Sequence, residues 1–459
     1  MREKSNTAII GGGISGLSAA YWLKKSGNPV TLFEKNKQVG GAIITEKTDG
    51  FLVDYGPNST LETSEALKEL VKEIGLENEK IYGNDASNKR YIVKNGELHP
   101  VPMKPGAFFS TRLFSWKSKL GLLREPFISP TEGEDISLAD FVRHRLGNEF
   151  LEYAINPFVA GVYAGDPEKL STAAAFPKLY ALEKNYGSLI KGAIKGARER
   201  KKRKEVAKDR ARLFSFREGM EVFPRKLAEY ITPGIRLETD IQKISMGKDG
   251  FQLDYLHRGK GYQETYDRVL VAIPAYSLAR LLPGLNPGYV SEFEEIYYPP
   301  VSVVFTGFRA SDVIRPLDGF GFLIPEIEKR QILGSIWSST IFPGRAPEDH
   351  VAFTTFVGGT RQPENATMNE ALLLKLVLDE LNDLVGLKEE PVFSRVKTWS
   401  RAIPQYNVGY GKVQQILEDL ENEFPGLFFA GNIRKGISVG DSVLCAHEVV
   451  EKMLEDKEN

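Results

Sequence analysis

The stretch Asn6 to Thr45, NTAIIGGGISGLSAAYWLKKSGNPVTLFEKNKQVGGAIIT, constrains this chain more than any other. Thr7 to Ile10 reads as a short buried strand, Gly11, Gly13 and Gly16 as a G-x-G-x-x-G turn, and Leu17 to Lys25 as the helix leaving it. Such a βα unit is shaped to receive a pyrophosphate. The first glycine permits the tight turn, the second lets a phosphate reach the backbone, and the third lets helix pack on strand, while the helix N-terminus supplies amide donors and a positive dipole end. A second strand, Pro29 to Glu34, ends in an acid about 18 residues past the last glycine, where a carboxylate can accept from a ribose hydroxyl. A glycine triplet alone also fits a purely structural turn, but the acid at this distance favours a dinucleotide site. Gly40 and Gly41 follow six residues beyond Glu34.

At 459 residues the chain is longer than one compact core usually organises, so two or three domains are expected. Lys+Arg 60 against Asp+Glu 61 leaves a net charge of −1, which argues against generic nucleic-acid binding. The lone cysteine, Cys445, excludes an internal disulfide and a cysteine-rich metal site. With one thiol and a first strand beginning at residue 7, no secretion is expected. No apolar run is long enough to span a bilayer. The histidines (His99, His144, His257, His350, His447) lack ligand spacing, and no metal is proposed.

Further along, the segment Asp49 to Ser59 contains GFLVDYGPNS, a strand running into a Gly-Pro turn that would suit a loop beside a flat ring. Thr63 to Ile74 has the spacing of an amphipathic helix, with Leu67, Leu70, Val71 and Ile74 on one face. Arg90 to Val93 and Glu97 to Val101 flank Asn95-Gly96, the favoured two-residue hairpin turn. From Pro105 to Arg212 the pattern changes to helices broken by Gly and Pro. Within it Phe108, Phe109, Leu113, Phe114 and Trp116 interleave with Arg112, Lys117 and Lys119, ahead of Leu120 to Leu123. This mixture fits either a bilayer interface or a helix packed on its own domain. Lys191 to Arg212 carries about eleven basic against three acidic residues, either a solvated run or a surface for anionic lipid or an acidic substrate.

Sheet-like sequence resumes at Leu213. Phe214 to Leu227 passes from strand through Gly219 into a helix, Ile235 to Ile244 is a further strand, and Phe251 to Leu256 with Glu264 to Tyr266 brackets a meander ahead of the apolar strand Arg268 to Pro274. Val301 to Phe308, Gly321 to Ile324, Ile332 to Trp337 and Val351 to Val357 are apolar and β-branched enough for a second sheet. Asn369 to Val385 is an amphipathic helix, and Leu427 to Ala430 is a short buried strand entering GNIRKGISVGDS before the terminal helix Val443 to Leu454.

Taken together these residues resemble the flavin-dependent protoporphyrinogen/coproporphyrinogen oxidases of the monoamine-oxidase-like superfamily, over nearly the whole chain. GGGISGLSAAYWL with Glu34 and Gly40-Gly41 is shared across the superfamily and implies FAD. NPFVAGVYAGDPEKLS (Asn156 to Ser171), GFGFLIP (Gly319 to Pro325), AIPQYNVGY (Ala402 to Tyr410) and FFAGNIRKGISVGD (Phe428 to Asp441) are similar to the family's later signatures. The implied fold is α/β with α+β insertions. A discontinuous Rossmann-like FAD-binding domain (1–85, 213–280 and 395–459) would carry a mixed-sheet substrate-binding domain (86–104 and 281–394) and a helical domain of membrane type (105–212).

The resemblance makes Gly11, Gly13, Ile14, Ser15, Gly16, Glu34, Lys35, Gly40, Gly41, Ala42, Gly56, Pro57, Asn58 and Trp399 cofactor-binding. It adds Gly431, Asn432, Ser438 and Val439 as flavin contacts, and gives Ile241 a backbone contact to the adenine. Arg90 matches the arginine that meets a substrate propionate, and Phe320, Gly321 and Leu323 match the walls that hold the tetrapyrrole against the flavin. Asn58 and Ser59 stand where mitochondrial relatives carry an arginine, and Ser64 where some Gram-positive relatives carry a lysine, so the second propionate contact and the choice of porphyrinogen stay open. The last turn, IRKGISVGD, lacks the aromatic residue of amine-oxidase relatives.

The implied activity is oxidation of protoporphyrinogen IX to protoporphyrin IX in heme biosynthesis, six electrons in three hydride transfers to flavin N5, with dioxygen or a membrane carrier as final acceptor. An apolar slot would hold the reacting carbon at about 3 to 3.5 Å, and a pyrrole N–H can release its own proton. The alternatives are coproporphyrinogen III oxidation, an amine oxidase or desaturase on the same scaffold, and a non-catalytic escort-type binder. Expected partners are the porphyrinogen, a following heme-pathway enzyme and anionic membrane, with a monomer or homodimer in the cytoplasm, peripheral on the inner face of the cell membrane.

Overall fold

Two sheets divide the work in the computed structural model, which describes residues 5–133, 135–203, 211–247, 250–282 and 285–455. The first is parallel, in the order Ile235–Arg236, Val30–Phe33, Thr7–Ile10, Arg268–Val271, Leu427–Phe429. Thr7–Ile10 lies at its centre, hydrogen-bonded on both sides and fully buried, which is why it reads as four apolar or small residues rather than an alternation. The helix behind it starts at Ile14, three residues before the expected Leu17, and runs to Lys25. Gly16 therefore lies in its first turn, where a Cβ would fall 2.0 Å from the Gly11 carbonyl oxygen. The terminal helix Val439–Glu455, longer than the expected Val443 start, packs along this first helix, so the two ends of the chain close one layer.

The antiparallel meander Thr239–Gly247, Gly250–His257 and Lys260–Tyr266 leaves this sheet and returns to it. The second sheet is mixed, in the order Phe393–Trp399, Val301–Arg309, His350–Gly358, Gly334–Ile336, Gly321–Leu323, Tyr91–Lys94, Glu97–Pro100. Asn95 and Gly96 both have positive φ, 54° and 75°, the geometry that the hairpin turn requires. Helix Glu370–Val385, capped by the Asn369 side chain, covers the sheet with Leu373, Val377, Leu381 and Val385. The strand Phe393–Trp399 pairs along Val301–Gly307 and forms one edge of this sheet. Its residues FSRVKTW mix charge with aromatic side chains and are mostly half-exposed, which hides an edge strand from a hydrophobicity reading. The hairpin Thr45–Thr48 and Phe51–Asp54 packs on the second sheet: Phe51 stacks on Phe393 with centroids 4.7 Å apart and meets Phe305 edge-on.

Between residues 105 and 203 the described chain consists of short helices, the last being Leu189–Arg203. Part of the basic run, 204–210, lies outside the described residues. Arg145, Glu125 and Glu183 form a fully buried cluster here. Arg145 Nε donates to Glu183 at 2.6 Å and Nη1 to Glu125 Oε1 at 3.3 Å. Glu125 also accepts from the Leu189 and Ile190 amides at 2.8 and 3.1 Å, holding the N-terminus of the basic helix. Among the described residues, no helix is long and apolar enough to cross a membrane.

Candidate cofactor and substrate site

Glycine packing builds the cofactor cradle. At Gly11 (φ 107°) a Cβ would lie 2.5 Å from the Ala272 carbonyl, and at Gly56 one would lie 1.9 Å from the Ala42 carbonyl, so neither turn admits a side chain. Gly13 is the contrast. Apart from its neighbours in the chain, no atom of the described residues lies within 4 Å of where its Cβ would be, and the backbone there opens onto free space. It is also the N-cap of Ile14–Lys25, has no side-chain cap, and the first turn holds no acid. A helix N-terminus without a side-chain cap, beside an uncrowded backbone, is what a pyrophosphate requires.

The other edges of the cradle converge on this point. Gly40 donates its amide to the Gly12 carbonyl at 2.8 Å, and a Gly41 Cβ would stand 3.4 Å from Gly13 Cα. A Gly431 Cβ would come within 3.2 Å of Ser15 Oγ, so the carboxy-terminal turn and the first helix share one wall. Ser438 accepts the Asp441 amide at 3.1 Å and opens the terminal helix, with Val439 buried behind it. Glu34 is buried at the end of its strand. Its Oε2 accepts from the Gly12 amide at 2.8 Å and its Oε1 from the Asn36 backbone and side chain at 2.8 and 2.7 Å. A carboxylate has about four acceptor positions, so capacity remains for a ribose hydroxyl. The Thr239 amide donates to the Glu34 carbonyl at 2.9 Å, which brings Ile241 beside this corner, and the meander's pairing shifts register between Ile241 and Lys243. Lys35 is exposed just beyond the acid.

Trp399 Nε1 donates to the Tyr55 carbonyl at 2.9 Å and so holds the Gly56-Pro57-Asn58 turn against the second sheet. Below the turn, Arg345 donates to Ser215 Oγ at 2.7 Å and pairs with Asp54 at 3.6 Å in a small cavity that Asn58 also lines. Burial pushes the Asp54 carboxyl above its ordinary range, against the pull of Arg345 and the hydrogen bonds from Thr45 and Met220. Sequence reasoning missed the support on the far side. Tyr406 donates its hydroxyl to the Asn432 carbonyl, and Tyr410 to the Ile433 carbonyl at 2.7 Å. The signal was the i, i+4 tyrosine pair in YNVGY, which places two hydroxyls at neighbouring carbonyls of the GNIRKG turn. Desolvation raises the pKa of Tyr163, Tyr406 and Tyr410, so all three are neutral at physiological pH.

The residues expected to wall the substrate slot lie on the second sheet. In Gly321–Leu323 the side chains alternate: Phe322 is buried toward helix Glu370–Val385, while Leu323 points back at the helical region. Gly321 has φ 132°, and a Cβ there would meet the Ser335 carbonyl at 2.1 Å. Phe320 is half-buried, and the Arg90 guanidinium carbon sits 5.4 Å from its ring centroid. The Arg90 side chain reaches solvent, yet the protein around it desolvates the cation enough to lower its pKa. No acid pairs with it among the described residues. An uncompensated arginine over an aromatic wall is open to an incoming carboxylate.

A family model described as flavin containing amine oxidoreductase matches residues 14–454. The protein is thus an FAD-dependent oxidoreductase, and the cradle described above fits the cofactor. Protoporphyrinogen oxidase 2, chloroplastic/mitochondrial, of Arabidopsis thaliana is 34% identical over 463 residues, covering 95% of this chain and 91% of its own. Coproporphyrinogen III oxidase of Bacillus subtilis is 30% identical over 462 residues, covering 96% of each. The crystal structure of a putative protoporphyrinogen oxidase from Exiguobacterium superposes with a TM-score of 0.82 at 26% identity, covering 99% of this chain and 100% of that one. Cyclohexylamine oxidase from Brevibacterium oxydans, with a TM-score of 0.70, 17% identity and full coverage of both chains, shares the fold. The chain belongs to the flavin-containing amine oxidoreductases, in their protoporphyrinogen/coproporphyrinogen oxidase branch.

Proposed function

We propose that this protein oxidises a porphyrinogen to its porphyrin in heme biosynthesis, with protoporphyrinogen IX as substrate and coproporphyrinogen III as the alternative. The observation that carries the reading is Arg90, a solvent-reaching guanidinium with no acid paired to it among the described residues, set over Phe320 beside the apolar Gly321–Leu323 strand. An amine substrate would want an anion at that place; a propionate wants this cation. Bound FAD supplies the two-electron acceptor, used three times per porphyrin.

The protein's part is geometry. Gly13 and the Ile14–Lys25 amides would hold the pyrophosphate, Glu34 the ribose, Ile241 the adenine through its backbone, and Gly431, Asn432, Ser438 and Val439 the flavin end. Phe320, Gly321 and Leu323 would exclude water from one face of the tetrapyrrole and keep its reacting carbon in place. Arg90 would fix one propionate. The three two-electron steps remove three hydrides from bridging carbons and three protons. Two of the protons can leave from pyrrole N–H groups, and the third leaves the remaining bridging carbon by imine–enamine tautomerisation of the macrocycle, so the substrate's own nitrogens can carry the proton traffic. The neutral buried tyrosines behind the cradle hold its carbonyls and leave the proton to solvent.

Association with an anionic membrane belongs to the same reading. Phe109, Trp116, Leu120, Leu123 and Phe127 are all more than half exposed in the helical region, beside a basic helix anchored by Glu125. A flat, sparingly soluble product would leave readily into lipid or to the next enzyme of the pathway. The test of the reading is steady-state turnover of both porphyrinogens and of a panel of primary amines, followed by porphyrin fluorescence and flavin absorbance. Porphyrin formation without amine turnover is expected; amine turnover without porphyrin would overturn it.

A further inference from the structure

We propose that Arg361 is a positioning residue that sets the width of the substrate slot and, through it, the preference between porphyrinogens. The inference rests on the porphyrinogen reading above. Arg361 Nη1 donates to the Ile324 carbonyl at 2.7 Å, and Nη2 donates to Asn156 Oδ1 at 2.5 Å and to the Asn156 carbonyl at 3.1 Å. Asn156 is held in turn by Glu326, whose amide donates to Oδ1 at 2.9 Å and whose Oε2 accepts from Nδ2 at 3.1 Å. Ile324 is the residue after Leu323, and Asn156 opens helix Asn156–Tyr163. That helix carries Gly161, where a Cβ would lie 2.4 Å from Leu323 Cδ2. The slot wall and the helix behind it thus touch at Leu323 and Gly161, and the Arg361 fork ties them together one residue further on.

The chemistry of the tie points to geometry. Burial pulls the Arg361 pKa down to about 10, with Glu326 and Asp166 opposing it, and no carboxylate hydrogen-bonds the guanidinium among the described residues. An apolar side chain here would leave the Ile324 and Asn156 carbonyls without their donor, so a loss of stability is expected as well, and the substrate ratio is the readout that separates positioning from folding. A planar fork fixes two carbonyls at a set separation, which a flexible ammonium or an apolar side chain cannot do. The helix is also entered through a π-helical turn, Leu151–Ile155, a local irregularity that recurs at functional sites.

The test compares wild type with Arg361→Met, Arg361→Lys, Asn156→Ala and the Arg361→Met/Asn156→Ala double variant, measuring FAD content and kcat/KM for porphyrinogens with two and with four propionates. Arg361→Met should keep stoichiometric FAD, lose about tenfold in kcat/KM, the scale of one charged hydrogen bond, and change the ratio between the two substrates. Arg361→Lys should recover part of the loss, and the double variant should be no worse than the poorer single one by more than about twofold, because both act through one contact. If Arg361→Met does not fold, the same ratio in Arg361→Lys and Asn156→Ala decides. An unchanged ratio, with both substrates falling equally or not at all, overturns the proposal. Wild-type protein that oxidises neither porphyrinogen overturns the functional reading instead.

Discussion

The cofactor cradle and the helical region are held together by opposite means. In the cradle, order comes from the absence of side chains: Gly11, Gly16 and Gly56 bring backbones within distances that a Cβ would violate, and specificity lies in the shape left over. In the helical region it comes from a buried charge cluster, Arg145 with Glu125 and Glu183, under a surface that leaves aromatic and aliphatic side chains in solvent. The first arrangement tolerates no side chain at the glycines where backbones meet. The second tolerates change at its surface and depends on the ionisation of its core, which leaves it the more easily opened of the two.

Two glycines three residues apart break the first half of this contrast in different ways. Gly16→Val should prevent folding, since its Cβ would meet the Gly11 carbonyl at 2.0 Å. Gly13→Val should fold and lose FAD, because its side chain would point into open space that the pyrophosphate would fill. Expression, circular dichroism and flavin absorbance separate the two outcomes, and folded Gly13→Val protein with stoichiometric flavin would contradict the cradle.

For the helical region, Arg145→Met should cost about 3–5 kcal/mol by leaving two buried carboxylates without their cation. Chemical denaturation should show the loss with FAD still bound before the transition. The acid limb follows from Glu183. Its burial raises the pKa, but the hydrogen bonds from Thr131 and Arg145 outweigh this and hold the carboxyl below its ordinary value. A depressed folded-state pKa gives stability that is present above the unfolded value and lost as pH falls through the folded one. Proteolysis within residues 105–203 should therefore quicken below the ordinary carboxylate range, ahead of flavin release.

Arg90→Ala should mainly raise KM for the porphyrinogen, about ten- to a hundredfold for a lost charged hydrogen bond of roughly 1.5–3 kcal/mol, with FAD content unchanged. An unchanged KM would place the propionate elsewhere. The smallest effect is expected at the surface. Sedimentation with anionic liposomes should fall as salt rises, each nearby Lys or Arg contributing about 1 kcal/mol, and should weaken further in Trp116→Ser/Phe127→Ser. No binding at low salt would remove the membrane from the proposal and leave the oxidase reading intact.

The same contrast governs what the sequence revealed. Glycine spacing, Glu34 at the end of its strand and the Asn95-Gly96 turn act over short distances, so the parallel sheet and its phosphate turn were legible from residue order. The Phe393–Trp399 strand was not, because an edge strand of mixed polarity carries little periodicity. Nor was the Arg361 tie, which joins side chains 205 positions apart, or the Tyr406 and Tyr410 hydroxyls that brace the last flavin turn. Contacts of that kind are set by the packing of finished elements. The proposed propionate contact of Arg90, by contrast, comes from family resemblance alone, and the structure adds that the guanidinium lies over Phe320 with no acid paired to it among the described residues.

The most direct test of the central claim is anaerobic mixing of the FAD-loaded protein with protoporphyrinogen IX in a stopped-flow instrument, with flavin absorbance and porphyrin fluorescence recorded together. Flavin bleaching within the turnover time, with one porphyrin formed for every three flavins reduced, is the expected result. Flavin that stays oxidised in the presence of protoporphyrinogen IX and coproporphyrinogen III, yet bleaches with an amine, would contradict it.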